Sequence, residues 1–221
     1  MAEKKTVTFY YVRHGTTLFN RLGRMQGRCD APLEKEGIAQ AYEAREELKD
    51  IDFDRAYTST SERCIDTAHI VLQGRDVPLI YTKDLKEMSW GDYEGALISD
   101  APEEINKRRY GDADWSDVGG ENLTMLRERV LKAYGKIYEE SEDGDQILIV
   151  SHGAIFMHMI QLVFGFNRKY MYRLMEEHGE KSHPVKHGFA AIFRMKEKDD
   201  FELLKINGHY DGFLEDLGSY K

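Results

Sequence analysis

Apolar positions along this chain follow two rhythms. Continuous β-rich runs predict buried strands at "TVTFYYV" (6–12), "FDRAYTS" (53–59), "VPLIYT" (77–82) and "QILIVS" (146–151). Between them the spacing becomes helical. Ile38, Ala41, Tyr42 and Leu48 share a stripe in 34–49, interrupted by Arg45. Ile65, Ala68, Val71 and Leu72 form another in 60–74, which Gly74 stops, and Leu123, Leu126, Val130, Ala133 and Ile137 a third in 121–140. "GAIFMHMIQLVFG" (153–165) predicts an apolar helix, and "GFAAIFRM" with "FELLKIN" predicts a hairpin across the charged turn "KEKDD". The segment 83–120 is irregular, rich in Gly, Asp and Trp, with one short helix expected near "APEEINKRRYG". Strands alternating with helices predict a single α/β domain over 1–221. Its central sheet is expected to be mainly parallel, with helices on both faces, an antiparallel C-terminal pair, and a cap or insert at about 83–120.

Composition narrows the partners. The 221 residues are 41% hydrophobic and 32% charged, enough for both a core and a hydrated surface. A net charge of -9 and a pI near 5.4 exclude the broad basic face that nucleic acid requires. They leave room for a small phosphorylated ligand, which needs only a few cations focused in one cleft. Cys29 and Cys64 make neither a disulfide framework nor a zinc site, so a cytoplasmic protein is expected. No signal peptide is read at the N-terminus, and no apolar run approaches the roughly 20 residues of a membrane span. A monomer or a homodimer is equally compatible with the sequence.

The chemistry lies in two strand ends. "YYVRHG" and "LIVSHG" both terminate in His-Gly. In an open parallel sheet, ligands bind beyond the carboxyl ends of the strands, so His14 and His152 are expected on one edge. One such His-Gly alone reads as a turn histidine bonded to backbone; two at equivalent strand ends shift the balance toward a site. "YTSTSERCIDTA" adds Arg63 in the first turn of a helix. Two arginines and two histidines suit a phosphoryl group, because the guanidinium fork matches its oxygens. Helix N-termini after the strands would add N–H donors. The neighbouring cations are expected to keep the His14 imidazole neutral, with a lone pair able to attack phosphorus while Arg13 holds the phosphate.

These segments together resemble the histidine phosphatase superfamily, in its phosphoglycerate mutase-like branch. "RHGTTLFN" is similar to the signature Arg-His-Gly-x-Thr-x-x-Asn, through Arg13, His14, Gly15, Thr17 and Asn20. "MQGRCDAPLEKEGIAQA" resembles the loop and helix that follow. "YTSTSERCIDTA" supplies Arg63, Thr67 and Ala68; "LKEMSWGDYEG" supplies Glu87, Gly91, Glu94 and Gly95; "GGENLTMLRERV" and "VSHGA" complete the order. The resemblance implies that His14 is the nucleophile and becomes phosphohistidine. It implies that Arg13, Arg63 and His152 bind the phosphoryl oxygens, and that Glu87 is the general acid and then the base. Asn20, Gln26, Gly27, Gly153 and Ala154 are implied to contact substrate. No metal or other cofactor is expected, because the arginines and the second histidine supply the positive charge.

Such a site serves a phosphatase or a mutase. The family's mutases typically follow the acid with a Glu-Arg-His-Tyr-like stretch; here it is Glu87-Met88-Ser89-Trp90, which favours hydrolysis of a phosphomonoester. Lys107, Arg108 and Arg109 either supply substrate cations, as a phosphoglycerate mutase would need, or form a solvated helix face, and the face is expected. A protein that binds phosphate ligands without turnover is a third reading. His178, His183 and His187 lack regular ligand spacing and are expected in a mobile loop at the pocket mouth; His209 is expected in a polar tail. His69 and His158 fall within helix patterns, packed or partly exposed. Cys64 reads as a packing residue, and Trp90, Tyr93 and Trp115 as pocket wall or cap. Substrate specificity is expected from 83–120 and 165–187.

Overall fold

The run at 6–12 forms strand β1 (Val7–Arg13), and its alternation decides the layering. The computed structural model describes residues 5–110, 114–180 and 183–219. With β2 (Arg55–Ser59), β3 (Leu79–Thr82), β4 (Gln146–Ser151), β5 (Gly188–Glu197) and β6 (Asp200–Ile206), β1 builds one sheet in the order β3-β2-β4-β1-β5-β6. β1, β2, β3 and β4 pair parallel, while β5 runs antiparallel to both β1 and β6. The domain is thus α/β with a mostly parallel sheet. The C-terminal hairpin is antiparallel and joins the sheet through β1.

The helices are α1 (Leu18–Arg21), α2 (Lys35–Glu47), α3 (Glu62–Val71), α4 (Glu103–Tyr110), α5 (Leu123–Glu140), α6 (Gly153–Leu162), α7 (Arg168–Glu177) and α8 (Phe213–Gly218). Val7, Phe9, Tyr11, Ile147 and Ile149 face one side, where Leu126, Val130 and Ile137 of α5 and Ile155 and Phe156 of α6 cover them. Tyr10, Val12, Leu148 and Val150 face the other, against Ala44 and Leu48 at α2 and Cys64, Ala68 and Val71 of α3. Period-two alternation therefore loads both faces, as a covered sheet requires. Phe9 is fully buried between Phe193 (5.0 Å) and Tyr134 (5.3 Å). Burial of one such side chain contributes about 1.5–3 kcal/mol.

Several expectations change. Ile38 and Tyr42 are exposed, and α2 packs instead through Gly37, Ala41 and Ala44. The small side chains let α2 approach the loop after β1: a Cβ on Gly15 would run into Gly37 O, and one on Gly37 into Thr16 O. Residues 165–187, expected as loop, contain α7, whose Met171, Leu174 and Met175 are buried. The tail after His209 folds as α8, with Phe213 and Leu217 in the core. In 83–120, α4 is the short helix expected near "APEEINKRRYG"; short 3-10 turns are added around it, and Trp115 packs edge-on to Trp90 at 5.1 Å. Gly111–Ala113 of that segment, and 181–182 of the histidine-rich stretch, lie outside the described residues. No helix among the described residues is long and apolar enough to cross a membrane.

Candidate active site

The register of two neighbouring strands creates the site. β1 and β4 run parallel with Arg13 opposite Ser151, so His14 and His152 leave the sheet side by side. The His14 N–H donates to Ser151 O at 3.0 Å, and the two imidazole rings lie 5.3 Å apart. His14 is buried, with its Nδ1 2.8 Å from Gly15 O. A carbonyl only accepts, so Nδ1 carries the proton and Nε2 keeps its lone pair. Burial, then the positive charges of Arg63 and Arg13, hold the His14 pKa well below its ordinary value. Nearby cations were the expected cause of a lowered pKa; desolvation contributes more than they do.

Arg13 donates from Nη1 to Val185 O, while its buried Nε–H has no partner among the described residues. Arg63 is fully buried behind His14. Its Nη1 donates to Cys29 O (3.0 Å) and Asp30 Oδ1 (2.8 Å), and its Nη2 to Gly27 O (2.8 Å) and His152 Nδ1 (3.0 Å). His152 therefore accepts at Nδ1 and donates from Nε2 to Ser59 Oγ at 2.8 Å. Burial, then Arg63, holds its pKa well below the usual value as well. The Cys64 thiol lies 3.4 Å from Ser151 O, and burial pushes its pKa up despite Arg63 beside it, consistent with packing.

Glu87 faces the same cleft and is 4% exposed. Its carboxylate accepts from Met88 N, Ala154 N and Ile155 N, each at 2.9 Å. The first N–H groups of α6, expected to meet phosphate, thus hold the carboxyl group. Burial nevertheless outweighs these bonds and raises the Glu87 pKa. Glu94 shows the opposite balance. It accepts from Gly27 N, Arg28 N, Cys29 N and Trp90 N. Burial pushes its pKa up, but the hydrogen bonds win and leave it lowered. Glu94 thereby fixes the loop whose carbonyls hold Arg63.

The cleft is about 690 Å³ including its open mouth. Of the residues singled out in the sequence, Arg13, His14, Asn20, Gln26, Glu87, Gly153 and Ala154 line it. The buried Nε2 of Gln26 has no hydrogen-bond partner among the described residues. Asn20 accepts from Thr17 N at 3.0 Å in the capping box of α1. Arg63, His152 and Gly27 are not among the residues lining the cleft; Arg63 bonds to both His152 and Gly27, and the His152 ring lies 5.3 Å from that of His14. Met25, Arg24, Trp90, Ile98, Arg109 and His183 also contribute to the walls. Arg109 departs from the expected solvated face, whereas Arg108 pairs with Asp117 and Lys107 with Glu103.

His187 is a further addition, with Nδ1 donating to His14 O at 2.6 Å. A third His-Gly, His187-Gly188, was its signal. An antiparallel strand enters the sheet at the edge where β1 leaves it, and Gly188 lies opposite Arg13. Among the described residues no group of three His, Cys, Asp or Glu is placed to hold a metal ion.

Comparison with known proteins agrees with this arrangement. The chain is 29% identical over 204 residues to the uncharacterized phosphatase PhoE of Bacillus subtilis (strain 168), covering 92% of this chain and 97% of that protein. It is 36% identical over 156 residues to a 2,3-bisphosphoglycerate-dependent phosphoglycerate mutase of Parvibaculum lavamentivorans (strain DS-1 / DSM 13023 / NCIMB 13966), covering 64% of this chain and 72% of the mutase. The solved structure of Bacillus stearothermophilus YhfR superposes with a TM-score of 0.75 at 25% identity, covering 94% of this chain and 99% of that one. Residues 9–181 match the family model of the histidine phosphatase superfamily (branch 1). The chain therefore belongs to that superfamily, among enzymes that include phosphatases and phosphoglycerate mutases.

Proposed function

We propose that the protein is a cytoplasmic, metal-independent phosphomonoesterase acting on a small phosphorylated metabolite through a phosphohistidine on His14. The observation that carries this reading is the pairing, on one cleft, of an imidazole whose Nδ1 proton is fixed on Gly15 O with a buried carboxyl group, Glu87, whose pKa desolvation raises. His14 Nε2 attacks phosphorus, the ester P–O bond breaks, and the leaving oxygen takes the Glu87 proton. Water then attacks phosphorus and gives a proton to Glu87 as the P–N bond breaks. Phosphate leaves, and both groups return to their starting states. General acid help of this kind contributes roughly 10²–10⁴-fold. The unpartnered Arg13 Nε and Gln26 Nε2 supply donors for the phosphoryl oxygens. Arg63 adds positive charge beside His14 and fixes the loop 27–30, and His152 holds Arg63 in place through its Nδ1. The segment 83–120 serves as a cap, contributing Trp90, Ile98 and Arg109 to the cleft.

The relative PhoE, named a phosphatase and matching nearly end to end, supports hydrolysis. One observation favours a phosphoglycerate mutase as the second reading: Arg24 and Arg109 bring two more cations to the cleft, suited to a substrate carboxylate. The test is turnover of an aryl phosphate at mildly acidic pH with a chelator present, beside 3-phosphoglycerate with and without 2,3-bisphosphoglycerate. Hydrolysis that survives the chelator and disappears in His14→Ala is the expected result. Rapid isomerisation of phosphoglycerate would select the mutase, and hydrolysis that survives His14→Ala would refute the mechanism.

A further inference from the structure

The sequence places His209 in a polar tail, yet its side chain is 1% exposed. The ring stacks on Phe213 at 3.9 Å. Its Nδ1 lies 2.6 Å from Glu180 Oε2 and its Nε2 2.8 Å from Pro184 O. A carboxylate and a carbonyl only accept, so both contacts are satisfied only when both ring nitrogens carry protons. The other Glu180 oxygen accepts from Tyr210 N at 3.0 Å. The remaining titratable groups nearby act at one remove. His178 stacks on Tyr210, Asp216 accepts from the Tyr210 hydroxyl, and the Lys186 stem lies beside Gly208.

What His209 grips leads directly to the catalytic centre. Pro184 precedes Val185, whose carbonyl takes Arg13 Nη1. His187, two residues on, donates to His14 O. His183 lines the cleft and accepts the Val185 N–H at Nδ1, 3.1 Å away. We propose that His209 is a positioning residue: as the imidazolium it latches Pro184 to Glu180 and holds 183–187 as the cleft wall that orients Arg13 and His14. Loss of one ring proton breaks one of the two contacts and frees that wall. This inference rests on the proposed phosphate site. The imidazoles of the site do not mimic the effect, because burial, with Arg13 adding to it, holds His187 down at about 3, and His14 and His152 lie well below neutrality.

The experiment follows the ring nitrogens of His209 by ¹⁵N NMR and the affinity for sulfate by calorimetry across one pH series. Sulfate keeps a constant charge over that range. A Glu87→Gln background removes the titration of the cleft carboxyl group. The expected result is a roughly tenfold loss of sulfate affinity at the pH where His209 loses its proton. Glu180→Ala, added to that background, removes one of the two acceptors and should show the weakened affinity at every pH. His209→Phe, which keeps the stacking, should show the weakened affinity at every pH. A flat sulfate affinity across the His209 titration, or an affinity that Glu180→Ala leaves unchanged, would overturn the latch. Failure of the wild type to hydrolyse phosphate esters, with the midpoints still coinciding, would refute the proposed function and leave the latch standing.

Discussion

Glu87 and Glu94 accept similar sets of backbone N–H groups and titrate in opposite directions. Glu87 is nearly sealed from solvent, and desolvation wins over its three bonds. Glu94 is partly open and takes four, so its bonds win over burial. The proposed roles follow from that difference: a proton donor must be neutral, and a loop clamp must be charged. The sign for Glu87 is definite. Its folded pKa is raised by burial, so its acid form persists to higher pH than in an ordinary glutamate and is lost as pH rises through the folded value. Hydrolysis of alkyl phosphates should therefore fall on the alkaline side of that value. Glu87→Gln should lower kcat for alkyl phosphates by roughly 10²–10⁴-fold, remove that alkaline limb, and cost much less with aryl phosphates, whose leaving group needs little protonation. A pH–rate series with matched alkyl and aryl substrates measures this, and equal losses on both would refute the acid role. Glu87 was legible because it lies in a motif. The partners of Arg63 were not, because carbonyls of Gly27 and Cys29 carry no side-chain signature.

Elements were legible where one chemical pattern persists. β4 matches its run at 146–151 residue for residue, because a strand covered on both faces must be continuously apolar. α7 and α8 were missed because their cores are narrow: Met171, Leu174 and Met175 in one, Phe213 and Leu217 in the other, amid charge. The position of β5 beside β1 was also hidden, since pairing depends on tertiary context rather than on either strand alone. That pairing brings His187 to the site, which explains why the site looked smaller in the sequence. The α2 stripe held at Ala41 and Leu48 but not at Ile38 and Tyr42, for a local reason: closeness to the loop after β1 matters more than apolar area there. Gly37→Ala should accordingly destabilise the protein by about 1–3 kcal/mol, although alanine ordinarily favours a helix over glycine by up to about 1 kcal/mol. Chemical denaturation of the pair measures it. A variant as stable as the parent would mean that the loop yields freely, and that contact would then not be what places His14.

Across the whole molecule, one carboxylate joins three parts of the chain that approach the cleft. Glu121 accepts from Arg28 in the loop behind Arg63 (2.9 Å), from Arg129 on α5 (2.9 and 2.8 Å) and from Ser89 N, two residues after Glu87 (3.0 Å). Arg129 also donates to Asp84 O and Lys86 O, bracing the chain just before Glu87. Burial pushes the Glu121 pKa up, but Arg129 and Arg28 outweigh it and leave it lowered. The linkage therefore runs opposite to that of Glu87. The stabilisation is present above the ordinary carboxylate value and is lost as pH falls through the folded one. Glu121→Ala leaves Arg129 without its countercharge and should cost about 3 kcal/mol near neutrality. The loss relative to wild type should shrink on acidification, because the parent then protonates the same group. Urea unfolding of both proteins across the acid range tests this, with kcat on an aryl phosphate measured beside it. The brace on Glu87 predicts that activity falls even where both proteins remain folded. A stability difference that stays constant with pH would show that Glu121 acts by packing rather than by charge, and unchanged kcat would show that Glu87 is positioned without it.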